Sequence, residues 1–201
     1  MKITLVRHAE VEDAYRNCYN GHNDVGLSFK GEAQAKLLAE EFKDKNFDRI
    51  YCSDLKRAKE TLRPFRQAKD ALYTKDLREK SWGKYEGLSF EEIIAKGEIV
   101  YENFEQWIEA LGGEDYREYS DRVEHFFFSF LPEDRVENLL IVTHAGVIRT
   151  LISIVKQIPL EEAFCVELSY GSYLIFDTNE RSFTQQRLSR EIFGSKEIGD
   201  L

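Results

Sequence analysis

The sequence predicts an α/β fold: a three-layer α/β/α sandwich with a mostly parallel central sheet and a helical lid insert. Short apolar runs alternate with segments whose apolar residues recur at helical spacing, which is typical of a parallel sheet covered by helices on both faces. The run "NLLIVTH" is almost wholly apolar, as expected of a central parallel strand. The 201 residues show no repeats or low-complexity tracts and suffice for one sizeable core. We therefore expect a single domain over residues 1–201.

The first half of the chain predicts three strands and two helices. "KITLV" is a short buried strand, and a long polar loop follows it. Ser28 is placed to cap a helix over "FKGEAQAKLLAEEFKDK". "FDRIYCS" is the second strand, and Asp54 is placed to cap a helix over "LKRAKETLRPFRQA" that Pro64 kinks. "ALYTK" is the third strand, and the loop "LREKSWGKYEGLS" ends this half.

The second half begins with three helical segments, "SFEEIIAKG", "EIVYENFEQWIEALGG" and "YREYSDRVEHFFFSFL", separated by glycines. Together they predict a helical lid at roughly residues 89–130, over the active-site edge. "NLLIVTH" is the next strand, and "GVIRTLISIVKQ" is a helix that ends before Pro159. "AFCVELSYGSYLIFDT" and "RSFTQQRLS" predict C-terminal strands.

Composition restricts the classes of function. The formal net charge is −9, from 37 acidic and 28 basic residues, and no block of Lys and Arg interrupts the acid, which argues against nucleic-acid binding. An anionic ligand would have to be bound by a few local cations. The three cysteines are scattered and predict free thiols in a cytoplasmic protein. No apolar run is long enough to span a membrane. The oligomeric state is left open, with a homodimer among the options.

Two predicted strands end in a histidine. His8 follows "KITLVR", and His144 follows "NLLIVT" and precedes a helix that starts near Gly146. A lone histidine in such a place is most often a structural residue that ends a strand. Because the carboxyl ends of parallel strands meet at one edge of a sheet, two of them predict a shared site. The start of the following helix would offer free N–H groups to an anion there.

Three further residues face the same edge: Arg7 at the end of the first strand, Arg57 one turn into the helix after the second strand, and Glu79 in the strand-end loop "LREKSWG". Viewed alone, Arg57 would be a solvated arginine on a helix surface and Glu79 an exposed carboxylate in a loop. Together with the two histidines they supply a nucleophile, cations for phosphate oxygens and a proton donor for the leaving group. This set suits phosphoryl transfer.

Several ordered motifs resemble the histidine phosphatase superfamily, which includes the cofactor-dependent phosphoglycerate mutases. "LVRHAE" resembles its Arg-His-Gly-Glu signature, "CSDLKRAKET" its Ser-x-Leu-x-Arg-Ala helix, and "LREKSWGKYEG" its acid-bearing loop. "GHNDVGLSFKGEAQA", "GGEDYREYSDRV" and "VTHAGVIR" resemble further blocks, in the family's order, over residues 1 to about 150.

The resemblance implies a role for each site residue. His8 would be the nucleophile that accepts the phosphoryl group, while Arg7, Arg57 and His144 would hold its oxygens. Glu79 would protonate the leaving alcohol and then activate the water that releases phosphate. The chemistry fits, because imidazole is a neutral nucleophile near pH 7 and guanidinium groups match phosphate oxygens. No metal and no cofactor are implied.

The sequence departs from the family at the substrate side. Ala9 replaces the glycine of the signature, and Ala14 stands where the family often has a phosphate-binding asparagine. Asn17 or Asn20 could substitute, with Asn20 better placed beside Gly21, and the alternative is that both are polar turn residues. The residues expected to contact the substrate are Arg7, Asn20, Gly21, Arg57, His144 and Ala145.

Three functions are compatible with these features: a phosphomonoesterase with a phosphohistidine intermediate, a mutase, and an idle member that binds phospho-ligands or a protein. The complete residue set argues against the idle member, and "EKSWGKYEG" is of the phosphatase kind. Most aromatic residues of the lid are expected in the core, and the rest would shape a pocket for a bulky small-molecule phosphomonoester. The chain length and the "CYNGHNDV" loop resemble α-ribazole phosphatases, which makes α-ribazole 5′-phosphate a candidate substrate.

Overall fold

A computed structural model describes residues 1–134 and 136–186. The strands are β1 Lys2–Arg7, β2 Arg49–Ser53, β3 Leu72–Thr74, β4 Asn138–Thr143, β5 Tyr173–Asp177 and β6 Ser182–Gln186. The helices are α1 Phe29–Glu41, α2 Lys56–Leu62, α3 Phe90–Ala95, α4 Phe104–Ala110, α5 Tyr116–His125, α6 Ala145–Lys156 and α7 Leu160–Phe164.

The six strands form one sheet in the order β3-β2-β4-β1-β5-β6. β1, β2, β3 and β4 are parallel to one another, whereas β5 is antiparallel to β1 and β6 is antiparallel to β5. The mostly parallel α/β sheet predicted from the sequence is confirmed, with "NLLIVT" as the central strand β4 between β1 and β2.

Alternate residues of the central strands pack on opposite faces of the sheet, as the period of two requires. On β4, Leu139 and Ile141 belong to a cluster that contains residues of α5 and α6. Their neighbours Leu140 and Val142 belong to a second cluster that contains residues of α1 and α2. Helices therefore cover both faces, and the central strands are buried on both sides. This is the three-layer arrangement predicted from the sequence.

The helix caps agree with the prediction in one case and differ in another. Ser28 caps α1 by accepting the Gly31 N–H, as expected. Asp54 does not cap α2: its carboxylate binds Arg78 through two hydrogen bonds of 2.6 and 2.7 Å. α2 also ends at Leu62 rather than continuing through a kink at Pro64, because proline has no N–H to donate within a helix and its ring crowds the preceding turn.

Two predicted elements are shorter than expected. The helix predicted over "EIVYENFEQWIEALGG" begins only at Phe104, where the Asn103 side chain accepts the Gln106 N–H and caps α4. The strand predicted over "AFCVELSYGSYLIFDT" is restricted to β5, because its first residues form the end of α7 and a loop over 166–172. The last part of the predicted strand "RSFTQQRLS" lies outside the described residues.

The segment 89–130 contributes to two packing units. α3 and α4 pack with the loop after β3 in a small aromatic cluster that includes Trp82, Ile93 and Trp107. α5 and the π-helical turn Phe126–Phe130 place Tyr119, Val123 and Phe126 in the main core beside α6. Within residues 1–134 and 136–186, no helix combines the length and the apolar character needed to cross a bilayer.

Candidate active site

The carboxyl ends of β1 and β4 bring the two histidines together. Arg7 pairs in register with Thr143, and the His8 N–H donates to the Thr143 carbonyl at 2.9 Å. The ring centroids of His8 and His144 are 5.1 Å apart. The shared site predicted from two histidine-ending strands is thus formed by adjacent parallel strands.

The tautomer of His8 follows from a hydrogen bond of its ring. Its Nδ1 lies 2.8 Å from the Ala9 carbonyl oxygen, which can only accept, so Nδ1 carries the proton. Nε2 then bears the free lone pair of a neutral imidazole. Burial, with the nearby charges of Arg57 and Arg7, holds the pKa of His8 well below its usual value near 6.5. A neutral imidazole with a free lone pair on Nε2 is therefore present near pH 7.

His144 is fully buried, and both of its ring nitrogens have protein partners. Its Nδ1 accepts from Arg57 Nε at 3.3 Å, which places the proton on Nε2, 2.8 Å from the Ser53 hydroxyl. Burial and the charge of Arg57 keep the pKa of His144 well below its usual value. In this state His144 fixes Arg57 from one side and packs beside His8 on the other.

Arg57 occupies the first turn of α2 and is only 1% exposed. Its Nη1 donates to the Asn23 carbonyl at 2.9 Å and its Nη2 to the Gly21 carbonyl at 2.7 Å. Burial lowers its pKa to about 10, so it remains a cation at neutral pH. These neutral partners orient the guanidinium without cancelling its charge, which leaves it available to an anion.

Arg7 is held by the loop that follows α7. Its Nη1 donates to the Leu168 carbonyl, and its Cζ lies 3.9 Å from the ring centroid of Tyr170. Its Nε is buried, and within the described part of the chain it has no hydrogen-bond partner. A buried donor left unpaired typically costs about 1–3 kcal/mol. The buried guanidinium of Arg57 and the partly buried guanidinium of Arg7, beside neutral histidines, make this edge of the sheet a place for an anion.

Glu79 reaches the same edge from the loop after β3. Its Oε2 accepts the Gly146 N–H of α6 at 2.9 Å, and its Oε1 accepts the Tyr119 hydroxyl at 3.1 Å. The predicted anion-binding start of α6 thus holds a side-chain carboxylate in this state. A Cβ at position 146 would overlap Glu79 Oε1, so glycine leaves the room that the carboxylate occupies there.

The family model described as "Histidine phosphatase superfamily (branch 1)" matches residues 3–191. The chain belongs to the histidine phosphatase superfamily. The resemblance inferred from the sequence motifs is confirmed. Curated relatives of this chain are named as phosphatases, and the chain is a phosphatase. The superfamily acts through a phosphohistidine intermediate.

Curated relatives within the histidine phosphatase superfamily cover almost the whole chain. The adenosylcobalamin/α-ribazole phosphatase of Salmonella typhimurium is 30% identical over 185 residues, which are 90% of this chain and 92% of the relative. Phosphoserine phosphatase 1 of Hydrogenobacter thermophilus is 30% identical over 189 residues, 90% of this chain and 88% of the relative.

Solved structures agree with these relatives. The α-ribazole phosphatase of Shigella flexneri has a TM-score of 0.77 at 27% identity and covers 98% of this chain and 100% of its own. A putative α-ribazole-5′-P phosphatase of Escherichia coli has a TM-score of 0.79 at 26% identity, with 98% and 99% covered.

The residues predicted to contact the substrate have different places in the structure. Gly21 offers its carbonyl to Arg57, and Ala145 is a buried residue at the start of α6. Asn20 is buried and donates to the Tyr15 carbonyl at 2.8 Å, whereas Asn17 is exposed in a left-handed turn at φ 62°. Of the two asparagines, Asn20 is the one inside the protein beside the site.

Sequence reasoning did not single out three residues at this site: Tyr119, Arg149 and Tyr170. Gly146 lay next to a predicted helix start, but its close contact with Glu79 has no sequence signal. Arg149 donates to the Val166 carbonyl. Burial lowers the pKa of Arg149 and the charge of Glu79 opposes that shift, while burial and the charge of Arg149 lower the pKa of Arg7. Tyr170 was assigned to a strand, which concealed its place over Arg7.

Two other acids near the site have structural partners. Glu10 is buried and lies 3.3 Å from the Lys30 ammonium and 3.1 Å from the Ser28 hydroxyl. Glu86 Oε1 accepts the His22 N–H at 2.9 Å and further donors from its own loop. Among residues 1–134 and 136–186, no three His, Cys, Asp or Glu side chains are grouped as metal ligands would be.

Proposed function

We propose that this phosphatase hydrolyses small-molecule phosphomonoesters with His8 as nucleophile, Arg7, Arg57 and His144 as phosphate-binding residues and Glu79 as general acid and base. The observation that carries the proposal is the free lone pair of His8 Nε2 near the guanidinium groups of Arg57, which is buried, and Arg7, which is partly buried. The unpaired Nε of Arg7 supports it, since a phosphate oxygen would supply its missing partner.

The proposed reaction has two steps. In the first, His8 Nε2 attacks phosphorus, the ester P–O bond breaks, and the leaving oxygen takes the proton of Glu79. In the second, water gives a proton to the Glu79 carboxylate and attacks phosphorus, so the P–N bond breaks and inorganic phosphate leaves. The Nε2–H of His144, now beside the Ser53 hydroxyl, is the donor that we expect to turn to a phosphate oxygen.

α-Ribazole 5′-phosphate is the proposed substrate. Relatives named for α-ribazole cover nine-tenths or more of this chain, although a phosphoserine phosphatase is equally similar. The lining of the cleft beside Glu79 favours the first, because Trp82, Ile108 and Phe164 give it apolar walls. Such walls suit an uncharged organic group better than the charged amino acid part of phosphoserine.

A substrate panel tests this assignment. We expect kcat/KM for α-ribazole 5′-phosphate to exceed that for phosphoserine by about tenfold or more, because apolar contacts typically discriminate by factors of ~10–200. The measurement is phosphate release at matched concentrations, with 3-phosphoglycerate and a bisphosphoglycerate primer as a test for mutase activity. Faster hydrolysis of phosphoserine would contradict the proposed substrate, and transfer to 3-phosphoglycerate without phosphate release would favour the mutase.

Chelation should leave the activity intact. Arg7 and Arg57 supply the positive charge that phosphoryl transfer needs, so we expect kcat to stay within about twofold after treatment with EDTA. The measurement compares treated enzyme with enzyme given Mg²⁺, Mn²⁺ or Zn²⁺ after treatment. A loss on chelation that one of these metals restores would contradict a metal-independent reaction.

We also propose that the protein works in a reducing compartment such as the cytoplasm. Cys18, Cys52 and Cys165 are free thiols, and disulfides are rare where thiols are kept reduced. Burial raises the pKa of the Cys52 thiol, so it remains a small apolar core residue.

A further inference from the structure

The two oxygens of the Glu79 carboxylate have different numbers of donors. Oε1 accepts the Tyr119 hydroxyl at 3.1 Å and the Lys80 N–H at 3.0 Å. Oε2 accepts only the Gly146 N–H, at 2.9 Å, within the described part of the chain. Because a carboxylate oxygen has two lone pairs in its plane, Oε1 is fully used and Oε2 retains one lone pair.

This difference decides where a proton can reside. A proton on Oε1 would displace one of its two donors, whereas Oε2 can take a proton without losing its bond to Gly146. The two donors on Oε1 are also rigid. One is a backbone amide, and the other is the hydroxyl of a tyrosine that is 2% exposed in the core beside α6.

Tyr119 remains a donor throughout the working range of pH. Burial, reinforced by the charge of Glu79, raises the pKa of its phenol well above 10. The ring is held on α5 by the packing of the main core, and the Arg122 guanidinium lies 5.0 Å from its centroid. The position of its hydroxyl is therefore set by the fold and not by the ligand.

We propose that Tyr119 is a positioning residue that occupies Glu79 Oε1 and thereby makes Oε2 the oxygen that gives and takes the catalytic proton. The proposal rests on the proposed role of Glu79 as acid and base. It assigns a further task to α5, which also covers the sheet: α5 fixes the orientation of the acid. Gly146 is the second part of the device, since its amide holds Oε2 and its missing side chain leaves room for Oε1.

Tyr119→Phe tests the proposal, because it removes one hydroxyl and keeps the ring. Without this donor Oε1 regains a lone pair, and the proton is shared between two oxygens, only one of which faces the leaving group. We expect single-turnover phosphorylation by an alkyl phosphate to slow by about tenfold, the scale of one hydrogen bond to a charged group. Phosphorylation by nitrophenyl phosphate should change by less than about twofold, because nitrophenolate leaves without a proton.

Tyr51→Phe is the matched control. Tyr51 is another buried tyrosine of the main core, and its hydroxyl donates to the Asp134 carboxylate away from Glu79. It should show the stability cost of losing such a bond without any dependence on the leaving group. If Tyr119→Phe does not fold, Gly146→Ala replaces it, because the added Cβ displaces Oε1, and the same selective loss is expected.

The outcomes separate the two proposals. A selective loss in both Glu79→Gln and Tyr119→Phe supports them both. A selective loss in Glu79→Gln, with equal losses or none for the two esters in Tyr119→Phe, overturns the role of Tyr119 and leaves the acid in place. An equal loss for both esters in Glu79→Gln overturns the acid and the inference that rests on it.

Discussion

His8→Ala is expected to lower kcat by ~10³-fold or more, because removing a nucleophile that acts as part of a unit typically costs at least that much. The phosphoryl group would have no acceptor, and the bound cations would retain only the ability to hold phosphate. The measurement is phosphate release, together with trapping of the phosphoenzyme in base, where phosphohistidine is stable. The trapped species should be present in the unaltered protein and absent from the variant.

Two further variants separate the loss of the nucleophile from damage to the fold. His8→Asn keeps an amide N–H near the Ala9 carbonyl that Nδ1 now contacts, yet it offers no nucleophile, so it should be as inactive as the alanine variant. His125→Ala removes an exposed histidine of α5 and should be fully active. More than a few per cent of activity in both His8 variants would show that His8 is not the nucleophile.

The sequence predicted the part of the site that comes from strand ends. A histidine at the end of a predicted strand can be placed at one edge of the sheet, because the carboxyl ends of the parallel strands β1, β2 and β4 lie together there. His8, His144 and Arg57 were found in this way, and so was the sheet itself. These residues are fixed by contacts within a few positions of a regular element.

The sequence could not predict contacts between loops and distant helices. Tyr170 stacks on Arg7 because the loop after α7 folds back over β1. No motif in "VELSYGS" predicts that loop conformation. The Tyr119 hydroxyl meets Glu79 across 40 positions of sequence. The first residues of "AFCVELSYGSYLIFDT" also predicted a strand where the end of α7 and its loop lie, because a short apolar run does not distinguish a strand from a helix.

Glu79→Gln should slow the first chemical step by ~10²–10⁴-fold for an alkyl phosphate, the usual contribution of general acid catalysis. The amide cannot give a proton to the leaving oxygen, and an alkyl alcohol leaves poorly as an anion. A nitrophenolate needs no proton, so phosphorylation of His8 by nitrophenyl phosphate should be much less affected. Dephosphorylation should be slow with both esters, because Glu79 also activates the attacking water.

The hydrogen bonds around Glu79 explain why the comparison of two esters is needed. In the glutamine variant the side-chain oxygen can still accept from Tyr119 and Lys80, but its NH₂ group then faces the Gly146 N–H, and two donors oppose each other. That mismatch shifts the side chain and slows both esters alike, whereas the missing proton slows only the alkyl ester. Single-turnover release of nitrophenolate, set against release of the alkyl alcohol, isolates the proton from the mismatch. An equal loss for the two esters would mean that the whole effect is the mismatch, and Glu79 would then not be the acid.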